Sequence, residues 1–256
     1  MGAKTKIDWC DSSWNPVTGC LHGCEYCYAR RIAERFSSGI ITGHDHLYML
    51  DEPFRRKDKT ICVFPYGFDP TFHRYRLDIP QTWKKARNIF VCSMADLFGE
   101  WVPDEWIKAV FEACEAAPQH RYLFLTKNPQ RYLELAKKGA MPDKKNFWYG
   151  CSVTYQAEPF FFSGRYKTFA SIEPILEPFG GAPGLNHIEK PEWVIVGAET
   201  GNRKNKIRPE KSWINGIIYA CKEYHIPLFM KESLRELMGD DFRQEFPWKE
   251  DDHAPD

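Results

Sequence analysis

The 256-residue sequence has no excess of charge, because 35 Lys and Arg residues balance 35 Asp and Glu residues. It has no run of about 18 apolar residues, and the segment before Trp9 is short and polar, so we expect neither a membrane span nor a secretory signal. The hydrophobic fraction of 43% is enough for a sizeable core, which excludes a disordered chain. The neutral balance argues against a nucleic-acid coat protein but leaves room for a local basic groove.

The cysteines are distributed unevenly along the chain. Their count of nine is odd, which does not suit a fully paired secreted framework. Cys20, Cys24 and Cys27 fall within one short segment, whereas the others are scattered and mostly lie in apolar surroundings. This pattern predicts a cytoplasmic, reducing location with buried thiols and one specialised cluster.

Short apolar segments alternate with amphipathic ones. The predicted strands are residues 60–65, 88–93, 121–126, 147–153, 168–172, 193–197 and 227–230, with a first strand at 7–10 or 14–17. The predicted helices are residues 25–36, 104–117, 129–138 and 209–224. Strand and helix alternating at this spacing favour parallel pairing with crossover helices. We therefore predict the α/β class with a single (β/α) barrel, complete or partial, and a doubly wound open sheet is the alternative.

No internal repeat and no Ser/Gly-rich linker divides the sequence. We therefore expect one barrel domain over residues 1–240. Glycines and prolines predict a long loop over residues 179–190. Residues 241–256 have an excess of acidic side chains and are expected to form a flexible tail.

The three clustered cysteines have the spacing C-x3-C-x2-C. Thiolates this close in sequence can turn toward one region, and they suit zinc or an iron–sulfur cluster. A structural zinc site needs four ligands, usually as two distant pairs, and the sequence has no second pair of clustered cysteines. His22 would complete a zinc site, although its position between the ligands would strain the loop. A [4Fe–4S] cluster held by three cysteines leaves one iron open to a small molecule.

This spacing, with aromatic Tyr26 directly before the last cysteine, resembles the signature of the radical S-adenosylmethionine (SAM) superfamily. The resemblance implies a full or partial (β/α) barrel of radical SAM type, with the cluster loop after the first strand. It implies a [4Fe–4S] cluster on Cys20, Cys24 and Cys27, SAM on the open iron, and one-electron cleavage of SAM to a 5′-deoxyadenosyl radical. A flavodoxin or ferredoxin would be the implied electron donor.

Segments over nearly the whole chain are similar to a family of phage and prokaryotic proteins of unassigned function, grouped with radical SAM enzymes. The matching segments are residues 14–20, 89–98, 123–127, 171–174 and 193–201. Ala198 and Thr200 depart from the Gly and Ser expected there, and Lys231 is followed by Glu and Ser rather than Gln and Trp. Residues 24–28 are also similar to the spore photoproduct lyase motif, which favours a nucleic-acid or nucleotide substrate.

Polar residues follow the predicted strands, at the end where the active sites of (β/α) barrels gather. The predicted SAM-binding residues are Ser93, Asp96, Thr126, Lys127, Ser152, Ser171, Glu173, Glu199 and Lys231. Burying an unpaired carboxylate is costly, so we expect Glu173 to pair with Lys127 or Lys231. The alternative for each of these residues is that it is an ordinary polar residue of a loop and does not bind SAM. The sequence assigns no catalytic residue.

Basic clusters, such as residues 55–57, are interleaved with aromatic residues that include Tyr66, Phe68, Phe72 and Tyr75. A groove of cations with stacking rings would hold single-stranded nucleic acid. The alternative is that these basic clusters are ordinary surface residues exposed to solvent. The leading hypothesis is thus a radical SAM enzyme that acts on a nucleic acid or nucleotide. The alternative hypothesis is a non-catalytic, zinc-stapled module that binds nucleic acid or protein.

Overall fold

The computed structural model describes residues 5–40, 46–180, 190–201 and 203–248. Internal contacts divide the chain into two compact units. The first comprises Thr5 and Cys10–Tyr122, and the second comprises Lys6–Trp9 with the described residues from Leu123 onward. The expectation of one domain over residues 1–240 stays a prediction.

The first unit contains short strands and a small sheet of its own. Its elements are β1 (Ser12–Trp14), β2 (Val17–Thr18), α1 (Tyr28–Arg35), β3 (Tyr48–Leu50), β4 (Thr71–His73), β5 (Asn88–Val91) and α2 (Asp104–Glu115). β1 pairs with β5 in parallel. In the small sheet, of order β2-β4-β3, β2 is antiparallel to β4 and β3 is parallel to it. Gly19 forms a bridge with Ala95, so the segment after β2 starts beside the segment after β5.

The second unit carries longer strands. Its elements are the greater part of β6 (Arg121–Thr126), then α3 (Pro129–Lys137), β7 (Phe147–Ser152), β8 (Lys167–Ile172), β9 (Trp193–Val196), α4 (Lys211–Glu223), β10 (Leu228–Met230) and α5 (Arg235–Met238). β7, β8, β9 and β10 pair successively in parallel. The register sets Ser152 opposite Ser171, and it sets Val196 opposite both Ile172 and Met230. The carboxyl ends of these four strands therefore lie at one edge of the sheet.

Among the described residues, seven strands form one sheet in the order β1-β5-β6-β7-β8-β9-β10. This order follows the chain once the small sheet is set aside, and α2, α3 and α4 lie between successive strands. The predicted α/β class with a partial (β/α) barrel is confirmed.

Local sequence accounts for the main elements. The residues of β9 (Trp-Val-Ile-Val) are all buried, as expected for a strand covered on both faces. α2 begins after Pro103 with Asp104 and Glu105 in its first turn, where carboxylates interact favourably with the helix dipole. α3 begins with Pro129 and is followed by Gly139 at φ +67°, a left-handed conformation that glycine adopts without strain.

Each unit has its own aromatic core. In the first unit, Phe72 stacks on Trp106 with ring centroids 5.1 Å apart. In the second, Phe124 stacks on Tyr149 at 5.4 Å, and Tyr132 meets Tyr149 edge-on at the same separation. Buried aromatic pairs of this kind contribute to the packing of each unit.

Some sequence expectations differ from the structure. Residues 60–65 are not a strand and make only isolated bridges, because the chain folds back there in a tight turn stabilised by Arg56 N–H donating to the Thr60 carbonyl at 2.9 Å. The first strand overlaps the predicted 14–17 only at Trp14, and residues 7–10 form no strand. Residues 181–189 of the predicted long loop lie outside the described residues.

Residues 242–248, in the predicted tail, lie against β10 and β9. Met230 N–H donates to the Arg243 carbonyl at 2.9 Å, and Glu245 N–H donates to the Leu228 carbonyl at 3.1 Å. The indole N–H of Trp193 donates to the Glu245 carbonyl at 2.9 Å. Residues 249–256 lie outside the described residues. In the part of the chain that the structure describes, no helix has the length and hydropathy needed to cross a bilayer.

Candidate functional site

The loop of residues 20–27 connects β2 to α1 and is held by backbone hydrogen bonds. Gly19 N–H donates to the Met94 carbonyl at 2.9 Å, and Cys20 N–H donates to the Phe68 carbonyl at 3.1 Å. At its other end, Cys27 caps α1, because its sulfur accepts the N–H of Arg30 at 3.4 Å. The loop is therefore fixed at both ends, beside the carboxyl end of β5.

Gly19 shows how closely the loop is seated. Its φ is +90°, and a Cβ built there would lie 2.2 Å from the carbonyl oxygen of Asp69. Only glycine fits this position, because any side chain would collide with the backbone. The start of the cysteine loop is thus pinned against the segment before β4.

The three thiols of the loop lie in one electrostatic neighbourhood. Cys20, Cys24 and Cys27 are each half-exposed, and Cys20 and Cys27 pack against the same buried cluster that includes Phe68. Burial raises the pKa of the Cys20 thiol to about 12, with further increases from the charges of Asp96, Cys24 and Cys27. A nearby cation would favour the thiolate form again, because the thiolate is the form of cysteine that binds metals.

Among the described residues, no group of three or more Cys, His, Asp and Glu side chains is arranged to hold a metal ion. A structural zinc ion needs its ligands to converge on one point. In an iron–sulfur cluster, each cysteine binds a different iron, so the sulfurs stand apart around the cluster. Three thiols in one short loop are a donor set that suits either zinc or an iron–sulfur cluster.

His22 lies between the cysteines and faces a carboxylate. Its Nε2 is 2.7 Å from Oδ2 of Asp96, whose Oδ1 accepts the N–H of Phe98 at 3.0 Å. The His22 ring meets Trp101 edge-on at 4.9 Å, and the buried indole N–H of Trp101 has no acceptor among the described residues.

Ser93 and Asp96, both predicted SAM-binding residues, lie in the segment that contacts the cysteine loop. Asn15 Oδ1 accepts the N–H of Met94 at 2.9 Å and the Ser93 hydroxyl at 3.2 Å. The hydroxyl of Tyr28, the first residue of α1, donates to the Ser93 carbonyl at 2.9 Å. The structure therefore brings the cysteine loop together with Ser93 and Asp96.

In the second unit, Lys231 forms an ion pair with Glu173, one of the two partners expected for this carboxylate. The hydroxyl of Ser152 lies 3.5 Å from the Glu173 carbonyl, and the fully buried hydroxyl of Ser171 has no partner among the described residues. The Lys231 stem crosses Gly197, where a Cβ would lie 2.8 Å from the Lys231 Cδ. The ends of β7, β8 and β10 thus share one polar group of side chains, which comprises Ser152, Ser171, Glu173 and Lys231.

Glu199 is bound within its own loop. Its two carboxylate oxygens accept the Nε and an Nη of Arg203, both at 2.7 Å, and one also accepts the Ile207 N–H at 3.3 Å. The hydrogen bonds from Arg203 hold the pKa of Glu199 below its usual range. This carboxylate therefore links Glu199 to Arg203 and to the backbone of Ile207.

Thr126 and Lys127 lie at the end of β6. The Thr126 hydroxyl oxygen accepts the N–H of Asn128 at 2.9 Å, directly before α3, and the Lys127 ammonium nitrogen is buried. Sequence reasoning did not single out Asn15 or Trp101. Asn15 follows β1 directly, and the rule that polar residues follow strands would have found it.

Comparisons with known proteins identify a family but no curated relative. No curated protein sequence matches the chain. Several structures of spore photoproduct lyase match with low similarity. A cysteine-to-serine mutant has 11% identity and a TM-score of 0.49, with 90% of this chain and 78% of that chain covered.

A structure of the same enzyme complexed with dinucleoside spore photoproduct has 12% identity and a TM-score of 0.44, with coverages of 88% and 64%. A double mutant with bound AdoMet and the dinucleoside has 14% identity and the same TM-score, with coverages of 87% and 64%. Scores below 0.5 do not distinguish a function. A family profile described as "Protein of unknown function (DUF5131)" matches residues 4–238.

Proposed function

The chain belongs to the family described as protein of unknown function (DUF5131), and we propose that this member is a radical SAM enzyme. Cys20, Cys24 and Cys27 would hold a [4Fe–4S] cluster. The observation that carries the proposal is the loop itself, in which three cysteines follow one another closely and the start of the loop is held by the backbone hydrogen bonds of Gly19 and Cys20 beside the carboxyl end of β5. A three-thiol set leaves one iron without a protein ligand, which suits SAM.

The surroundings of the loop support the same proposal. Arg30 donates to the Cys20 carbonyl at 3.2 Å and lies 4.9 Å from the ring of Phe68, so a cation stands beside the thiols. The pair formed by His22 and Asp96 keeps the middle of the loop against the segment after β5. These residues would position the donors, while the bound cofactor would supply the difficult chemistry.

The polar residues at the strand ends are the proposed SAM-binding residues. Glu173 and Lys231 present a carboxylate and an ammonium group side by side, which complements a ligand that carries hydroxyl, amino and carboxylate groups. The unpartnered hydroxyl of Ser171 is a further donor. The rest of the proposed set comprises Ser93, Asp96, Thr126, Lys127, Ser152 and Glu199.

When bound at Cys20, Cys24 and Cys27, the cluster together with SAM would supply one-electron radical chemistry at this site. The substrate that we propose is a nucleic acid or nucleotide, in keeping with the motif of residues 24–28. The absence of disulfides among the nine cysteines supports the proposed cytoplasmic location.

Anaerobic reconstitution with iron and sulfide tests the proposal. We expect about four irons and four sulfides per chain, and 5′-deoxyadenosine when dithionite and SAM are added. Replacing Cys20, Cys24 or Cys27 by Ala should abolish both results. Cys10→Ala is the matched control, because Cys10 is also half-exposed but lies outside the loop.

Two outcomes would contradict the proposal. The first is wild-type protein with intact thiols that binds neither iron nor SAM. The second is bound zinc without sulfide, which would support the zinc-stapled binding module instead. Loss of the cluster in the Cys10 variant would show that the assignment of three ligands is wrong.

A further inference from the structure

α1 exposes an apolar stripe that adjoins its packing face. Tyr28, Ile32 and Phe36 are four residues apart, so they line up along one side of the helix, and Ile32 and Phe36 are 40% and 52% exposed. Ala29 and Ala33, on the neighbouring side of the helix, are buried against a core cluster. The stripe therefore contributes little to packing within the unit, and large exposed apolar side chains grouped together commonly mark an interaction site.

Cations flank this stripe. Arg31 and Arg35 are exposed beside it, and Glu34 is the acidic residue of the helix. The Arg56 guanidinium donates to the carbonyls of Phe36 at 3.0 Å and Ser37 at 3.1 Å. This contact joins the basic turn of residues 55–59 to the carboxyl end of α1.

The turn adds further positive charge. Arg55, Lys57 and Lys59 are exposed, and Asp58 is engaged by Thr60, whose N–H and hydroxyl both donate to it. The whole chain has no net charge, so this concentration of cations is local. We call Arg31, Ile32, Arg35 and Phe36, together with the turn of residues 55–59, the α1 face.

The α1 face is continuous with the cysteine loop. Cys27 is the N-cap of α1, and a helix of eight residues is about 12 Å long. Any partner seated on this face therefore lies within one short helix of the three thiols. The reaction proposed above consumes an electron, which has to arrive from outside the chain.

We infer that the α1 face is the docking surface for a small acidic redox protein that reduces the cluster. This inference rests on the proposed function. The partner is oxidised by one electron and the protein-bound cluster is reduced by one, with no bond made or broken. An apolar centre with a charged rim is typical of protein interfaces, and electron-transfer encounters are small and electrostatically steered.

The composition of the face favours a protein partner over nucleic acid. Bases need rings on which to stack, but the exposed ring of Phe36 already has the Arg35 guanidinium 5.4 Å from its centroid, and Tyr28 is held by its hydrogen bond to the Ser93 carbonyl. Phe68 and Phe72 are buried, and Tyr66 stacks on Tyr48 at 3.7 Å. Aliphatic Ile32 at the centre of the stripe offers packing area rather than a stacking plane.

A comparison of two reductants tests the inference on the reconstituted full chain. The double variant R31E/R35E and the single variant Ile32→Ser would be assayed for 5′-deoxyadenosine with dithionite and with a reduced acidic flavodoxin. With flavodoxin, we expect the rate of the double variant to fall by about tenfold or more, because steering is reversed. With dithionite, both variants should match wild type. Lys108→Glu, at an exposed cation of α2, is the control and should change neither rate.

Direct binding of flavodoxin to the wild type and to the double variant would be measured in parallel, at low salt and at about 0.15 M, where screening shortens the Debye length to about 8 Å. We expect salt-sensitive binding that the double variant loses. If the wild type and the double variant have equal flavodoxin-driven rates and bind flavodoxin equally, the α1 face is not the docking surface. The same follows if the double variant loses activity equally with flavodoxin and with dithionite. Loss of single-stranded oligonucleotide binding with flavodoxin reduction intact would assign the face to nucleic acid instead. If the wild type is inactive with dithionite, the proposed function is wrong. The binding measurement then still shows whether flavodoxin docks on the α1 face.

Discussion

His22 Nε2 lies 2.7 Å from Asp96 Oδ2, across 74 residues of sequence. Asp96 is 5% exposed, and its other oxygen is occupied by the N–H of Phe98. The pair therefore joins the middle of the cysteine loop to the segment after β5, whereas the backbone contacts described above hold only the ends of the loop.

Replacing Asp96 by Asn should loosen the loop without unfolding the protein. Asn keeps an oxygen for the Phe98 N–H but removes the charge that faces His22. We expect lower iron and sulfide content after reconstitution, together with a loss of about 1–3 kcal/mol in the free energy of unfolding. Glu100→Gln, a nearby exposed carboxylate, should leave both quantities unchanged. Full cluster content in D96N would show that the pair is dispensable.

Gly19 and Gly23 form a matched pair for substitution by Ala. Both have positive φ, but a Cβ at Gly19 meets the Asp69 carbonyl, whereas a Cβ at Gly23 meets nothing within 4 Å. Gly23→Ala should cost about 1–2 kcal/mol, the backbone penalty alone. Gly19→Ala should cost clearly more and displace the loop. Urea unfolding of both variants measures this, and equal costs would contradict the seating of Gly19.

His73 should make the stability of the protein depend on pH below neutrality. Burial, and secondarily the charge of Arg76, lower the pKa of His73 from 6.5 to about 3. Between these values the unfolded chain binds a proton that the folded protein excludes. The free energy of unfolding therefore falls as the pH drops, by up to about 1.4 kcal/mol per pH unit.

The variant His73→Gln should show a smaller loss of stability between pH 7 and pH 5 than the wild type. Gln keeps hydrogen-bonding groups toward Thr18, which lies 2.8 Å from the His73 Nε2, but it does not titrate. Urea unfolding at pH 7, 6 and 5 checks this. Parallel pH profiles of the two proteins would rule out His73 as the source.

Glu173 and Lys231 should be coupled both in stability and in SAM binding. We expect Glu173→Gln and Lys231→Met each to cost about 1–2 kcal/mol, because each leaves a half-buried charge without its partner. The double variant should cost less than the sum. Under the proposed function, each single variant should also weaken SAM binding to reconstituted protein by about tenfold. An unfolding cost with unchanged SAM affinity would assign the pair to structure alone.

The sequence predicts the elements whose signals are local. The apolar residues of β9, the acidic first turn of α2 and the proline start of α3 are each visible in short segments of sequence, and the structure agrees with all three. The small sheet escapes prediction, because strands of two or three residues are too short to display a period. The segment before Trp14 also misleads, since Trp9 is buried without belonging to a strand.

The candidate site is predictable to the same extent. The spacing of the cysteines, and the polar residues that follow strands, can be read from sequence. Two details of the site depend on contacts between segments far apart in the chain. These are which of two lysines meets Glu173, and the contact of His22 with Asp96. Arg203 beside Glu199 lies at helical spacing in a segment that is not a helix, so no periodic pattern indicates it.

The hydrogen bonds that residues 243–245 make to β10 have a practical consequence for handling the protein. β10 is the edge strand at one end of the sheet. Without these hydrogen bonds, its backbone N–H and C=O groups would be free to pair with a strand of another molecule. A chain truncated after residue 240 would keep every residue proposed to bind the cluster or SAM. It would, however, expose this edge of the sheet. We would expect such a truncated protein to self-associate and precipitate at concentrations where the uncut chain stays dispersed.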